Sequence, residues 1–159
     1  MPPRLLSVRV SRDLGLFLAR VLLGAIFTAH GYPKLFGSPG QQVSPDVERY
    51  LGAGFVRFMD RGGVDHFANN LKGLGVPAPR QMAWFVAAVE VAAGPLLLLG
   101  WLTRPMAFLL TCILIVAIWR VHGKNGLIAP EGYQFELALL AACLALLGAG
   151  PGRWAVDPE

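Results

Sequence analysis

Eight side chains that can hold a charge, move a proton or donate a hydrogen bond interrupt sequence that is otherwise strongly apolar: Arg20, His30, Lys34, Glu90, His122, Asn125, Tyr133 and Glu136. Arg20 and Glu90 stand deep inside hydrophobic runs, where an unpaired charge costs at least ~3 kcal/mol in hydrocarbon and so demands a partner. Arg20 lies ten residues before His30, and Glu90 ten residues after Arg80. If His30 and Arg80 mark the same membrane face, both charges sit about 15 Å below it at the α-helical rise. Matched depth predicts a buried Arg20–Glu90 ion pair. The functional alternative is that Glu90 carries protons.

The remaining six, joined by Lys124, gather where apolar runs begin and end. His30 and Lys34 close the first run, His122, Lys124 and Asn125 close the third, and Tyr133 and Glu136 open the fourth. At one membrane level they form either an interfacial belt bonded to headgroups, water and helix ends, or a ligand pocket. In a pocket, the histidines and Lys34 would donate to carbonyl or anionic oxygens, and Glu136 would exchange protons. No metal is expected, because two histidines and a carboxylate at these separations carry no ligand signature. No residue is assigned a catalytic role. Cys112 and Cys143 read as small apolar packing residues, and His66 as a solvated or interfacial side chain.

The elements that must position these groups are helices in a membrane. Of the 159 residues, 55% are hydrophobic and only 15% charged, with mean hydropathy +0.53, which is too apolar for an ordinary soluble domain of this length. The net charge of +4 is scattered between apolar runs and forms no basic stripe with interleaved aromatics, which excludes a nucleic-acid surface. Four runs, at about 14–31, 82–102, 105–119 and 133–149, approach the length that crosses a bilayer. The expected fold class is therefore all-α, a transmembrane four-helix bundle in one domain over 1–159. The basic leader Arg4, Arg9 and Arg12 resembles a secretory signal, but Arg20 and Phe27 argue for a retained anchor. The balance of Lys and Arg near span ends places both termini in the cytoplasm.

The first loop contains a further element. From Ser44 to Gly63, Val47, Tyr50, Leu51, Gly54, Phe55, Phe58 and Met59 fall on one helical face, Ser44 and Pro45 suit an N-cap and first turn, and Gly62 and Gly63 stop the run. This amphipathic helix is too short to cross, and is expected to lie in the interface and partly roof the polar cluster, or to pack on a partner protein. An internal echo is also visible: "AHG" at 29–31 answers "VHG" at 121–123, and "VEVAAGPLLLLGWLTR" answers "FELALLAACLALLGAGPGR", as a duplicated helical hairpin would.

Taken in order, "LARVLLGAIFTAHGYPKLFG", "LGVPAP", "VEVAAGPLLLLGWLTRP", "VHGKNG" and "GYQFELALLAACLALLGAGPGRWAVD" resemble the DoxX family of small four-helix bacterial membrane proteins. The resemblance covers nearly the whole chain apart from the first dozen residues and part of the first loop, which is longer here than is usual in the family. It places Arg20, His30, Lys34, Glu90, His122, Asn125 and Glu136 at the family's polar positions. It implies a multi-pass protein of the bacterial inner membrane whose relatives include a small subunit of thiosulfate:quinone oxidoreductase and proteins of oxidative-stress and thiol redox complexes. The expected function is an accessory or catalytic subunit of a quinone-linked membrane oxidoreductase. Its partners would be the lipid bilayer and soluble redox proteins or other membrane subunits, and a quinone is its possible cofactor. The competing class is a non-enzymatic scaffold or a small-solute carrier.

Overall fold

In the computed structural model the described residues are 3–128 and 132–158, with side chains described from Arg12 onward, so the leader side chains of Arg4 and Arg9 lie outside them. The described residues are helical, with no strand among them. The helices are α1 (Pro3–Phe36), α2 (Pro45–Arg61), α3 (Gly63–Gly73), α4 (Pro79–Leu99), α5 (Thr103–Ala117) and α6 (Gln134–Ala149). A π-helical turn, Ile118–His122, and a 3-10 turn, Gly123–Asn125, continue α5.

Three stretches are long and apolar enough to cross a membrane: Arg12–Phe36, Pro79–Leu99 and Thr103–Asn125. Helix α6 is equally apolar but has 16 residues, about 24 Å at the α-helical rise. The exposed residues of these helices are those that lipid rather than water accommodates: Leu18, Leu22, Phe108, Ile115, Val116 and Leu144 are all close to half exposed. In water such a surface would be an aggregation hazard. Trp101, in the turn before α5, and Trp119, in the π turn after it, are both exposed, and the 15 residues of α5 between them span about 23 Å. An exposed indole thus flanks each end of α5, with Arg104 in its first turn and Arg120 just after Trp119, the aromatic and basic residues usual at the ends of a membrane span.

The chain divides into two compact units, residues 1–25 with 93–159, and residues 26–92. In the first, α1 and α4 approach closely at glycines: a Cβ on Gly24 would lie 2.8 Å from the carbonyl oxygen of Gly94. Helices α5 and α6 pack on each other. Thr103, Ala107, Leu110, Thr111 and Leu114 of α5, and Leu139, Cys143 and Leu146 of α6, are buried at helical spacing. Cys143 is buried and Cys112 exposed, each a free thiol.

In the second unit, the helix read from the first loop forms as α2, with Ser44 Oγ accepting from Val47 N–H and Gly62 in the left-handed conformation closing it. The helix is not straight. Gly52, at φ 85° and ψ 163°, breaks it in the middle, a conformation open to glycine because it has no Cβ. Only the second half packs inward: Met59 is buried, Phe55 stacks on Tyr32 at 6.2 Å, and Phe58 meets His66 and Phe67 edge-on. Tyr50 and Leu51 in the first half are exposed. Helix α3 falls where the sequence suggested plain loop; its Val64 and Ala68 are buried against Ala83, with Leu35, Phe67 and Leu71 packed around them.

Candidate functional site

Two couples of a base and a carboxylate emerge, one in each unit. In unit 26–92, Lys34 Nζ donates to both oxygens of Glu90, at 2.8 and 2.7 Å, with side-chain exposures of 14% and 5%. Two features of the sequence make this geometry. Gly31 has no side chain where Glu90 passes, and a Cβ there would lie 2.6 Å from the Glu90 Cβ. Lys34 lies one turn further on, and helical side chains lean toward their own N-terminus, so its stem reaches back to the level of Gly31. Phe67 of α3 covers the ammonium, its ring centroid 4.8 Å from Nζ.

This corrects the expected Arg20–Glu90 pair on both sides. Glu90 is taken by Lys34. Arg20, fully buried, donates from one terminal nitrogen to the carbonyls of Leu97 and Leu98 and from the other to those of Arg153 and Trp154, the shortest at 2.9 Å. Its guanidinium also lies over the Phe17 ring, 5.5 Å from the centroid. The depth count failed because α1 runs past His30 to Phe36, so His30 does not mark the end of the helix.

The tail gripped by Arg20 holds a residue that the sequence reading did not single out. Asp157 accepts the backbone N–H groups of Leu102 and Thr103, at 2.9 and 2.7 Å, and so caps α5 from a distant part of the chain. Val156 and Asp157 donate back to the carbonyls of Leu99 and Gly100. Burial opposes the charge on Asp157, but the two backbone N–H groups and the positive charge of Arg20 outweigh it and hold the carboxyl below its ordinary range. The available signal was the start of α5, whose N-cap position holds Leu102, with no side-chain capping bond.

The second couple lies in unit 1–25 with 93–159, where His122 Nε2 stands 3.4 Å from Glu136 Oε1. A π turn, Ile118–His122, follows α5 and carries His122 as its last residue. Gly123 is required there, since a Cβ would lie 2.6 Å from the Ile118 carbonyl oxygen. Tyr133 N–H then donates to the Gly126 carbonyl at 3.2 Å, which fixes where α6 begins and brings Glu136 to His122. At 3.4 Å the couple is longer than a tight charge-assisted bond. The second oxygen of Glu136 is buried with no hydrogen-bond partner among the described residues. Side-chain exposures are 30% for His122 and 16% for Glu136.

Of the remaining candidates, His30 is exposed, with Nδ1 at 2.9 Å from the Ile26 carbonyl of its own helix. Asn125 ends the 3-10 turn, and Tyr133 acts through its backbone. His30 and Lys34 thus belong to one unit, and His122, Asn125, Tyr133 and Glu136 to the other. Among the described residues no group of three or more His, Cys, Asp or Glu is placed to hold a metal.

Long apolar helices, each unit with an acid of one helix met by a base near the end of another, define a helical integral membrane protein with two internal ionisable couples. The chain belongs to the DoxX family, whose model matches residues 15–123. It is similar to "Uncharacterized membrane protein Rv3486" of Mycobacterium tuberculosis, at 32% identity over 68% of this chain and 72% of the relative. It is similar to "Putative oxidoreductase CatD" of Bacillus subtilis, at 28% over 87% and 82%, and to "Inner membrane protein YphA" of Escherichia coli, at 26% over 92% and 91%. No solved structure matches the chain.

Proposed function

We propose that this DoxX-family protein is a membrane subunit of a quinone-linked oxidoreductase, with His122 and Glu136 meeting the quinone head. The observation behind this reading is the incomplete couple: Glu136 keeps a buried oxygen with no partner among the described residues, while His122 stands 3.4 Å from the other oxygen. A bound quinone supplies two carbonyl oxygens that become hydroxyls when two electrons and two protons arrive. His122 would donate N–H to one carbonyl and orient the ring. Glu136 would hold a proton at its unpartnered oxygen and release it to the oxygen being reduced, to be refilled through His122 from the membrane surface. Electrons would come from a soluble redox protein or a second membrane subunit.

The oxidoreductase name of the Bacillus subtilis relative supports this reading. The same proposal includes four spans, with α6 as the fourth, cytoplasmic termini, residence in a bacterial inner membrane and a place in oxidative-stress or thiol redox chemistry. A non-enzymatic scaffold is the competing function, and the exposed Tyr50 and Leu51 favour it.

The test is titration of the detergent-purified protein with a short-chain ubiquinone or menaquinone analogue, read by quenching of tryptophan fluorescence, since Trp119 lies three residues from His122. Saturable quenching that is lost in both His122→Ala and Glu136→Gln is the expected result. Saturation unchanged in both variants, or absent from the unmodified protein, overturns the reading.

A further inference from the structure

A second polar feature lies away from both couples, in the unit of residues 26–92. Asp65, Ala68, Asn69 and Lys72 of α3 face Pro79 and Arg80 of α4 across a cleft of about 430 Å³. Two of its walls carry cations. Asp65 is the acid among the lining residues, and its oxygen stands 3.7 Å from Arg80 Nε with both side chains about three-quarters exposed. That separation is beyond hydrogen-bonding distance, so the guanidinium, with five N–H donors in a planar fork, is not consumed by Asp65.

The position of the cleft limits what can fill it. Helix α4 is apolar and long enough to cross a membrane, so its first turn lies where headgroup phosphates are concentrated. One turn further on, on the same face as Arg80, Trp84 is exposed, as are Met82 and Phe85 beside it. An indole just below a basic residue is the usual order of groups at a membrane boundary. The site therefore offers cations and an amide at one end and an apolar wall below.

We propose that this cleft binds the phosphate of an anionic lipid headgroup, with Arg80 and Lys72 on the phosphate oxygens, Asn69 beside them, and the acyl chains lying along Trp84 and Phe85. Free phosphate shares the headgroup's chemistry but has no use for the apolar wall. Asp65 opposes the anion and sets the affinity at a level that allows exchange. The proposal is independent of quinone binding, because none of the lining residues belongs to the His122–Glu136 couple.

The test is native mass spectrometry of the full chain released from nanodiscs of phosphatidylglycerol and phosphatidylcholine, counting retained lipid. Phosphatidylglycerol is expected to be retained in preference, with retention falling about fivefold for each of Lys72→Gln and Arg80→Gln, the weight of one cation at a membrane surface. Asp65→Asn is expected to raise retention. Arg57→Gln, an equal loss of charge on an exposed part of α2 outside the cleft, is expected to leave it unchanged. Equal retention of the two lipids, or an equal loss in Arg57→Gln, overturns the proposal. Displacement of phosphatidylglycerol by millimolar inorganic phosphate alone overturns the lipid as the source.

Discussion

The Lys34–Glu90 and His122–Glu136 couples are built from the same plan and finished differently. In each, a base near the C-terminal end of one apolar helix meets a carboxylate on another. Lys34 satisfies both Glu90 oxygens below 3 Å, and Phe67 covers the ammonium. His122 approaches one Glu136 oxygen at 3.4 Å, and the other Glu136 oxygen has no hydrogen-bond partner among the described residues. A carboxylate with both oxygens taken and its partner covered is part of the scaffold. One left half-bonded beside a histidine still has a valence for a ligand. The contrast separates an acid whose neighbours satisfy both oxygens from one that keeps an oxygen open, and the proposed function rests on the open one.

The largest test of that contrast is to break the closed couple. Glu90→Gln or Lys34→Met leaves one buried charge unanswered and is expected to lose about 3–5 kcal/mol of stability. The double change Lys34→Met with Glu90→Gln strands no charge and should cost less than either single change. Equilibrium unfolding in detergent across the four proteins reads this directly, and additive losses would remove the coupling.

Asp157 provides an intermediate case, a carboxylate satisfied by backbone donors rather than by a base. Asp157→Ala is expected to lose about 0.5–2 kcal/mol, as other helix caps do. Its pH signature follows from the depressed pKa. The contribution is present above the unfolded value near 3.9 and disappears as pH falls through the lower folded value. Thermal melting of the unmodified protein should therefore weaken below about pH 4, and part of that weakening should be missing in Asp157→Ala.

The smallest effect on stability is expected at the open couple. His122→Ala and Glu136→Gln should each change unfolding free energy by less than about 1 kcal/mol, because the contact is long and partly exposed. The same two variants should abolish saturable quinone quenching. A loss of stability comparable to that of Glu90→Gln would place this couple in the scaffold too.

The sequence made some of these features legible and hid others for identifiable reasons. Hydrophobic run length found the long helices, and Ser44, Pro45 and Gly62 marked both ends of α2, because caps and breakers act locally. The break at Gly52 was not legible, since a glycine within an amphipathic repeat has no local mark of positive φ. Helix α3 was legible but not read: Val64, Phe67, Ala68 and Leu71, the residues that pack on Ala83, follow the i, i+3, i+4, i+7 spacing of an amphipathic helix within its 11 residues. Of the candidate site, the residue types were legible and the pairings were not. Arg20 needed a partner, as expected, but found carbonyls, which every residue carries and no sequence distinguishes. Lys34 came to Glu90 through the space left at Gly31, a small residue whose importance depends on what passes opposite.

The clasp of Arg20 also has a consequence in time. Two of its four acceptors, the carbonyls of Arg153 and Trp154, lie 133 and 134 residues later in the chain. At ordinary translation speeds that separation is roughly 7–27 s. Over the first 77 residues of that interval none of the four acceptors has been made, and over the rest only the carbonyls of Leu97 and Leu98 have, so α1 carries an incompletely satisfied guanidinium until the tail arrives. A nascent chain that stalls before its tail emerges keeps a guanidinium without two of its final acceptors, so the contact that locks the finished helix is also the last one the growing chain can make.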